Sequence, residues 1–403
     1  MSFEKNQTAI VVFGEDWGSH PSSTQHLMSY VMGRYPVIWV NSIGLRRPRV
    51  SLKDFRRALS KLRGMFQKAP NVKPKLKQEG GRPIEIISPM AFPFFGNSFA
   101  RRLNEILLSN QVRKALRKND KRGCILWLSL PTCADLIGRC QDIATIYYAG
   151  DDFSALAGVD HKPIIKMEDK LAEKADAIVV PGRVLANKFN PEKTFIVQHG
   201  CDFDLFATLV EPARDVDWSR PTAGFYGSLD RWLDQKLVCD LADRNPGWQF
   251  LLIGPVKTDI HQLTRRQNIH CLGSRDHHEL PSYSQNWDLS LLPFKDDAQI
   301  RACNPLKLKE YLAAGRPIAT TRFDAAEDYR DVIHICDDPE DFMEAMNTAL
   351  KSGNNRKKTL QKRVKSEDWR CRAEEVMVLI EALQNEALRQ NDENFSLVKP
   401  KYA

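Results

Sequence analysis

Asn304-Pro305-Leu306-Lys307-Leu308-Lys309-Glu310-Tyr311-Leu312-Ala313-Ala314-Gly315-Arg316-Pro317 is the stretch on which the organisation of this chain turns. Asn304 suits an N-cap and Pro305 the first helical position, while Gly315 can close the helix and Pro317 stop it. The spacing predicts a helix of about ten residues, roughly 15 Å long. Its N-terminus would present free N–H groups and a positive dipole end, which suits a diphosphate. Lys307 and Glu310 are three apart and share a face. Lys307, in the first turn, could meet phosphate charge, and Glu310, one turn deeper, could accept hydrogen bonds from a ribose diol. A surface helix with a weak Lys–Glu pair remains the plainer alternative.

Around this stretch short β-branched runs alternate with helical ones, the pattern of α/β parallel sheets. The first half offers Ile10–Phe13, Val37–Asn41, Ile84–Ser88, Cys124–Leu130, Thr145–Ala149, Ala177–Val180 and Thr194–Gln198 as strands. The second half offers Thr222–Tyr226, Gln249–Ile253, Ile269–Leu272, Leu289–Phe294, Pro317–Thr320 and Val332–Cys336. Phe206–Pro221, with Pro212 and Pro221 and little apolar periodicity, reads as the joint between halves. The expected organisation is therefore an N-terminal domain over 1–206, a linker over 207–221 and a C-terminal domain over 222–365. Two such βα series imply two Rossmann-like domains facing each other across a cleft, with ligands at the carboxyl ends of strands. A last helix, opened by Ser366-Glu367-Asp368-Trp369, is expected to about residue 390.

The length of 403 residues fits two domains, and 42% hydrophobic residues can fill two cores. Mean hydropathy is −0.42, and no apolar run approaches the ~20 residues needed to span a bilayer. Strand-like Ile10–Phe13 follows so soon after Met1 that no signal peptide is expected. The nine cysteines are scattered without a C-x-x-C, which reads as buried thiols in a cytoplasmic protein and not as disulfides or a zinc site. No G-x-G-x-x-G follows any strand and no G-x-x-x-x-G-K-[ST] occurs, which lowers the case for dinucleotide oxidoreductases and P-loop NTPases.

A second candidate site is Tyr147-Tyr148-Ala149-Gly150-Asp151-Asp152-Phe153-Ser154, two carboxylates at the end of a predicted strand. Such a carboxylate can serve as a general base. The alternatives are N-capping of the next helix, the favoured reading for Asp152, and a metal-binding look-alike. A third is the loop Gly14-Glu15-Asp16-Trp17-Gly18-Ser19-His20-Pro21 with the helix that follows, including His26.

Several segments, in order, resemble GT-B glycosyltransferases. The N-P-x-K-x-x-E-Y-L-A-A-G-x-P run is similar to their donor-site helix. Gly224-Phe225-Tyr226-Gly227-Ser228-Leu229-Asp230-Arg231-Trp232-Leu233-Asp234 resembles the opening of the C-terminal domain in bacterial teichuronic-acid-type and exopolysaccharide glycosyltransferases. Pro246–Pro255, Leu280-Pro281-Ser282-Tyr283 and Asp288–Phe294 continue the likeness, and His199-Gly200-Cys201-Asp202 is similar to the H-G-V-D that ends the N-terminal domain. The likeness runs from about residue 8 to about residue 382. It implies a glycosyltransferase with a nucleotide-diphosphate donor, UDP-linked, held by Lys307, Glu310, Gly227, Ser228, Arg231, Asn304 and His199. The nucleotide sugar is then a substrate; no further cofactor and no metal are expected.

Two departures bear on mechanism. The E-x7-E of many retaining members would place its first Glu on Ala302. The Arg and Lys that those members carry after the opening Gly are replaced from Ser228 onward, leaving Arg231 or Lys307 to take over. Tyr147–Asp151 resembles Y-R-A-S-D in the inverting glucuronosyltransferase of xanthan assembly, whose Asp acts as base and matches Asp151. In that enzyme the first loop lines the acceptor pocket, which implies the same for Asp16, Trp17 and His26. The terminal helix resembles one that crosses back onto the N-terminal domain, with a structural role for Trp369. A retaining transferase, an epimerase of the same architecture and a non-catalytic partner of a polysaccharide-synthesis complex stay open as alternatives.

Charge points to the acceptor's surroundings. Residues 46–122 hold 21 Lys and Arg against 5 Asp and Glu, a net of +16, while the rest of the chain is −8. Leu52, Phe55, Leu59, Leu62 and Phe66 share one face of a basic helical pattern, and Phe92, Phe94, Phe95 and Phe99 precede Arg101, Arg102, Arg113, Lys114, Arg117 and Lys118. This suits peripheral binding to an anionic membrane, the inner face of the plasma membrane, with a lipid-linked saccharide as acceptor. Packing of the apolar stripe on the core is the alternative. Nucleic acid fits poorly, because no binding module of that kind is recognisable.

Overall fold

The computed structural model describes residues 7–18, 22–42, 81–89, 98–154, 161–301, 303–352 and 356–397. The basic stretch Leu52–Phe66, Phe92, Phe94, Phe95 and Ala302 lie outside the described residues. The chain forms two compact units, Met1–Val197 with Arg372–Ala403, and Gln198–Cys371.

The boundary differs from the expected one. Residues 207–221 belong to the second unit, bound to it by their own polar groups. Ala213 N–H donates to the Ser282 carbonyl at 3.1 Å, and Trp218 Nε1 donates to the Ala213 carbonyl at 2.8 Å. Arg275 pairs with Asp215 at 2.7 Å. Pro212 and Pro221 mark irregular chain here, but irregular chain that satisfies its backbone locally is part of a domain and not a tether.

In the first unit seven parallel strands are β1 (Thr8–Phe13), β2 (Val37–Val40), β3 (Glu85–Ile87), β4 (Gly123–Leu128), β5 (Asp142–Tyr148), β6 (Ala177–Val180) and β7 (Thr194–Ile196). Their order is β3-β2-β1-β4-β5-β6-β7. All six residues of β1 and of β4 are buried. A central strand of a parallel sheet is covered on both faces, which is why these segments read as unbroken apolar runs. Chain order reverses between β1 and β4, the place where a doubly wound sheet opens a crevice at its carboxyl edge. Helices α1 (Ser23–Val31), α2 (Ser98–Lys118) and α3 (His161–Lys174) belong to this unit.

The second unit repeats the plan with β8 (Thr222–Tyr226), β9 (Gln249–Ile253), β10 (Ile269–Gly273), β11 (Leu289–Leu292), β12 (Ile318–Thr321) and β13 (His334–Cys336), in the order β10-β9-β8-β11-β12-β13. The reversal falls between β8 and β11. All thirteen expected strands are present. The main helices are α4 (Phe203–Ala207), α5 (Gln235–Arg244), α6 (Leu306–Ala314), α7 (Pro339–Ser352) and α8 (Lys357–Val364), followed by α9 (Trp369–Leu397). From Arg372 onward α9 groups with the first unit.

Close packing decides one glycine in this core. A Cβ on Gly224 of β8 would lie 1.7 Å from the ring of Trp287. That ring is fully buried and donates through Nε1 to Ser290 Oγ at 2.9 Å. Only a residue without a side chain leaves β8 room beside it.

Candidate functional site

The helix quoted at the outset is α6, and its N-terminal end is set one residue from where the sequence suggests. Pro305, with φ −73° and ψ 123°, occupies the N-cap position and no side chain caps the helix. Asn304 therefore is not the cap. It is buried one residue earlier, and its carbonyl accepts from His199 Nδ1 at 2.9 Å. A proline at the cap leaves the first-turn N–H groups without a side-chain acceptor of their own, the state an incoming anion completes. Gly315 closes the helix in the left-handed region at φ 81°, as its type requires.

Glu310 lies on the second turn of α6, buried at 7% exposure. Tyr226, the last residue of β8, donates its hydroxyl to Glu310 Oε2 at 2.7 Å. His277 Nε2 meets Glu310 Oε1 at 3.0 Å. Burial pushes this carboxyl up, but the hydrogen bond and charge of His277, the Tyr226 hydroxyl and Lys307 together bring it below its ordinary value. Burial pushes His277 down, and Glu310 with Asp202 more than reverses this, so the imidazole stands above its ordinary value. Glu310 is thus held as a carboxylate, each oxygen engaged once and able to accept again. Tyr311, beside it in sequence, accepts the Tyr226 N–H on its hydroxyl at 2.9 Å.

Lys307 projects from the first turn toward the end of β8. Its Nζ lies 5.6 Å and 5.7 Å from the ring centres of Phe225 and Phe294. A Cβ built on Gly227 would stand 3.0 Å from that amine. Gly227 itself has φ 146°, and a Cβ on Gly254 would come within 1.9 Å of the Gly227 carbonyl oxygen. Two glycine turns thus cross at the carboxyl edge of β8 and β9, and side chains at these positions would push the backbone off the ammonium. No carboxylate among the described residues pairs with Lys307, and loss of hydration lowers its pKa, opposed by Cys303 and Glu310. A partly desolvated ammonium without a counter-ion is a strong anion site. Arg231 is exposed, and Ser228 is half-buried beside Gly227; neither side chain has a partner among the described residues.

Behind α6 lies a second network. Lys309 is fully buried and pairs with Glu367 at 2.8 Å. Its Nζ also donates to the His199 carbonyl. Tyr329 donates to Glu367 Oε2 at 2.5 Å. Cys201 N–H donates to the Glu367 carbonyl at 3.0 Å and Trp369 N–H to the Cys201 carbonyl at 3.2 Å. A Cβ on Gly200 would lie 2.8 Å from Trp369 Cα. Gln198–Cys201 is thus fastened to Glu367–Trp369 and to the rear of α6. Trp369, 3% exposed, acts there as packing.

In the first unit Asp151 stands three positions beyond the end of β5. The residue is exposed, yet crowding by protein strips hydration from its carboxyl and, with the charge of Asp152, raises its pKa. Asp152 is committed elsewhere. It accepts from Lys188 Nζ at 2.5 Å and from Ser154 N–H at 2.9 Å. Burial works against its charge, but Lys188 and Ser154 bring it below the usual carboxylate range. Asp152 therefore closes a two-residue turn and an ion pair. Residues 155–160, between this turn and α3 (His161–Lys174), lie outside the described residues, and the expected capping of the next helix by Asp152 falls there. Nearby, buried Tyr147 donates to Glu168 Oε1 at 2.7 Å.

The loop after β1 is braced by β2. Asp16 accepts from Ser42 N–H at 3.1 Å, Trp17 N–H donates to Asn41 Oδ1 at 2.9 Å, and the Trp17 ring meets Trp39 edge-on at 4.8 Å. Trp39 Nε1 in turn donates to the Glu15 carbonyl at 2.8 Å. His26 is half-buried on α1. Among the described residues no group of three or more His, Cys, Asp and Glu gathers as a metal site.

Lys307, Glu310, Gly227, Ser228, Arg231, Asn304 and His199 all fall in the second unit, and Asp151, Asp16, Trp17 and His26 in the first. Lys307, Glu310 and Gly227 converge. Sequence reasoning missed Tyr226, His277 and Lys309. Tyr226 carried a signal, a polar aromatic ending an otherwise apolar strand; His277 carried none, since the bond to Glu310 spans 33 positions.

Comparison with known proteins bears on these arrangements. Residues 220–352 match the family Glycosyl transferases group 1. Over 282 residues, 63% of this chain and 71% of the other, the chain is 27% identical to TuaH of Bacillus subtilis (strain 168), a protein named for a glycosyltransferase of teichuronic acid biosynthesis. Among solved structures, Anabaena HepE in complex with UDP and glucose matches 92% of this chain and 99% of its own at TM-score 0.62 and 12% identity. Sucrose-phosphate synthase from Thermosynechococcus elongatus matches 94% and 99% at TM-score 0.66 and 13% identity. The chain is thus a glycosyltransferase of GT-B fold, carrying a glycosyl transferases group 1 domain over residues 220–352.

Proposed function

We propose that the chain transfers a sugar from a UDP-sugar to a lipid-linked saccharide in the assembly of an exopolysaccharide or cell-wall polysaccharide, with inversion at the anomeric carbon. The observation that carries this reading is the pairing on α6 of an uncompensated Lys307 ammonium, one turn away, with a Glu310 carboxylate locked by Tyr226 and His277. An ammonium beside a glycine turn fits a diphosphate, and a fixed carboxylate accepts two hydrogen bonds from a ribose diol. TuaH, named for teichuronic acid biosynthesis, and HepE, solved with UDP and glucose, support the polymer and the nucleotide.

In the transfer, Asp151 takes the proton of the acceptor hydroxyl as its oxygen bonds to the anomeric carbon. The bond from that carbon to the β-phosphate oxygen breaks, and its electron pair leaves with UDP. The charge that develops there is met by Lys307 and the first-turn N–H groups of α6, with no metal required. The raised pKa of Asp151 makes it a stronger base than an ordinary carboxylate. Asp16, Trp17 and His26 line the acceptor's approach in this scheme, and Arg231, Ser228, Asn304 and His199 surround the donor.

The outer face of α2 supports a membrane location on the inner leaflet. Phe99 (77% exposed) and Ile106 (47%) stand in one row with exposed Arg102 and Arg117. Apolar side chains among cations suit the headgroup region of anionic lipid. No helix among the described residues is long and apolar enough to cross a membrane.

A thermal-shift panel of UDP, GDP, dTDP and their sugars tests the donor, because a ligand bound only by the folded state raises Tm by mass action. Stabilisation by UDP-sugars alone supports the reading. No shift with any nucleotide overturns it.

A further inference from the structure

His199 carries an acceptor with nothing to accept. Its Nδ1 lies 2.9 Å from the Asn304 carbonyl oxygen. A carbonyl oxygen only accepts, so Nδ1 bears the hydrogen and Nε2 is left as a lone pair. Nε2 is buried and has no hydrogen-bond partner among the described residues. Burial first, and the Lys309 ammonium after it, hold the ring neutral against the pull of the Asn304 bond, with the pKa pushed down to about 4. Lys309, with its counter-ion Glu367, is the charged group packed against this segment, and Trp369 is its aromatic neighbour at 6.3 Å.

The ring's place follows from its partner. Asn304 stands immediately before the N-cap of α6, so the imidazole sits at the end of that helix that also carries Lys307. A neutral imidazole with a free Nε2 lone pair repels a phosphate oxygen, which is also an acceptor. It attracts an O–H or N–H. A buried acceptor left unpaired is costly, so a ligand that supplies the hydrogen is selected over one that does not.

Resting on the donor site proposed above, we infer that His199 is a specificity residue for the sugar, accepting at Nε2 a hydrogen bond from a hydroxyl of the donor's hexose ring, and that it makes no contact with the diphosphate. The tautomer is set by Asn304, and burial, with Lys309 after it, keeps the ring from charging. The hexose is thereby read by a group that cannot be satisfied by UDP alone.

Two variants of the full chain separate the ring's two nitrogens. His199→Asn keeps an N–H where Nδ1 stands and removes the acceptor, whereas His199→Gln places a carbonyl oxygen near Nε2. Calorimetric titrations use UDP, UDP-glucose, UDP-N-acetylglucosamine and UDP-glucuronate, and the tightest UDP-sugar is followed further. His199→Asn is expected to weaken that UDP-sugar about tenfold, in line with one hydrogen bond to a buried acceptor, and to change UDP less than twofold. His199→Gln should recover part of the loss. One monodeoxy analogue of the sugar should lose the same factor with wild type and nothing further with His199→Asn. The pH dependence of affinity from 7.5 to 5.5 should be the same in wild type and His199→Asn, because the ring is neutral throughout and any slope belongs to His277. Equal weakening of UDP and UDP-sugar, a wild type that binds no sugar nucleotide more tightly than UDP, or affinity that rises as pH falls through about 6.5 in wild type but not in His199→Asn overturns the inference. Rising affinity would mean an imidazolium donating to phosphate. Wild-type protein that binds no UDP at all overturns the donor site itself, which is a distinct result.

Discussion

Tyr226 and Glu310, 84 positions apart, share a buried hydrogen bond of 2.7 Å that ties the end of β8 to the second turn of α6. The bond fixes the one carboxylate that the donor reading needs, and it sits where strand order reverses, the expected ligand edge of such a sheet. Tyr226→Phe leaves the ring packing and removes the hydroxyl. It is expected to weaken UDP binding several-fold by releasing Glu310, while Glu310→Ala and Lys307→Ala each cost about 1–3 kcal/mol of nucleotide affinity, the range for charged hydrogen bonds. Titration of the folded variants with UDP checks this. Unchanged affinity in both alanine variants removes the donor site from α6.

The His277–Glu310 pair makes stability depend on pH in a defined window. His277 has a raised pKa in the fold, so its contribution is complete below the unfolded value of about 6.5 and is lost as pH rises through the folded one. Glu310 has a lowered pKa, so its contribution is complete above about 4.5 and is lost as pH falls through the folded value. The pair therefore stabilises most between those two values. Comparing wild type with His277→Gln, the gap in urea stability should be widest near pH 5–6 and shrink above pH 7. A gap constant from pH 5 to 8 would show that the pair contributes no charge interaction.

Lys309 and Glu367 are a buried ion pair, which is costly to break and cheap to replace. Lys309→Met alone should destabilise by about 3 kcal/mol, the low end for a broken buried pair, because Glu367 is left with only the more distant Arg363, 3.6 Å away. Lys309→Met with Glu367→Leu should recover much of that loss. Urea denaturation of the three proteins decides it, and a double variant as weak as the single one would show that the pair's role is the hydrogen bond to His199.

All thirteen strands and the closing glycine of α6 were legible because they are local: unbroken apolar runs for buried parallel strands, and a residue free to adopt positive φ at a helix end. The cap of α6 was misread for a physical reason. Asn304 is a good cap in isolation, but here its carbonyl is drawn to His199 and Pro305 takes the position. The linker was misread because Pro212 and Pro221 signal irregular chain, and irregularity does not tell whether its hydrogen bonds go to a domain or to water. Tyr226, His277 and Lys309 depend on partners 33 to 110 positions away, a relation no window of sequence contains.

Membrane attachment predicts a salt-sensitive interaction. Arg102→Glu, Lys114→Glu and Arg117→Glu together should reduce binding to phosphatidylglycerol vesicles, with roughly 1 kcal/mol at stake per basic residue near the surface. Phe99→Ser should reduce it further at any salt. Vesicle co-sedimentation at low and high salt reads both effects, and wild-type protein that stays in the supernatant at low salt refutes the attachment before any variant is made.

Asp151 as the base is the boldest assignment, and the structure sharpens its test through Asp152. Asp151→Asn keeps size and most hydrogen bonding but cannot take a proton, and a lost base usually costs on the order of 10²–10⁴ in rate. UDP affinity should survive, because Lys307 and Glu310 belong to the other unit. Asp152→Asn should act differently. It removes the negative charge that raises the Asp151 pKa, so the acid limb of the kcat/KM profile should move to lower pH. It also loosens the ion pair with Lys188 and lowers Tm. Transfer from an α-linked UDP-sugar should yield a β-linked product, read by the anomeric proton coupling. An α-linked product, or an Asp151→Asn enzyme within a few-fold of wild type, would show that another group, or none, takes the proton.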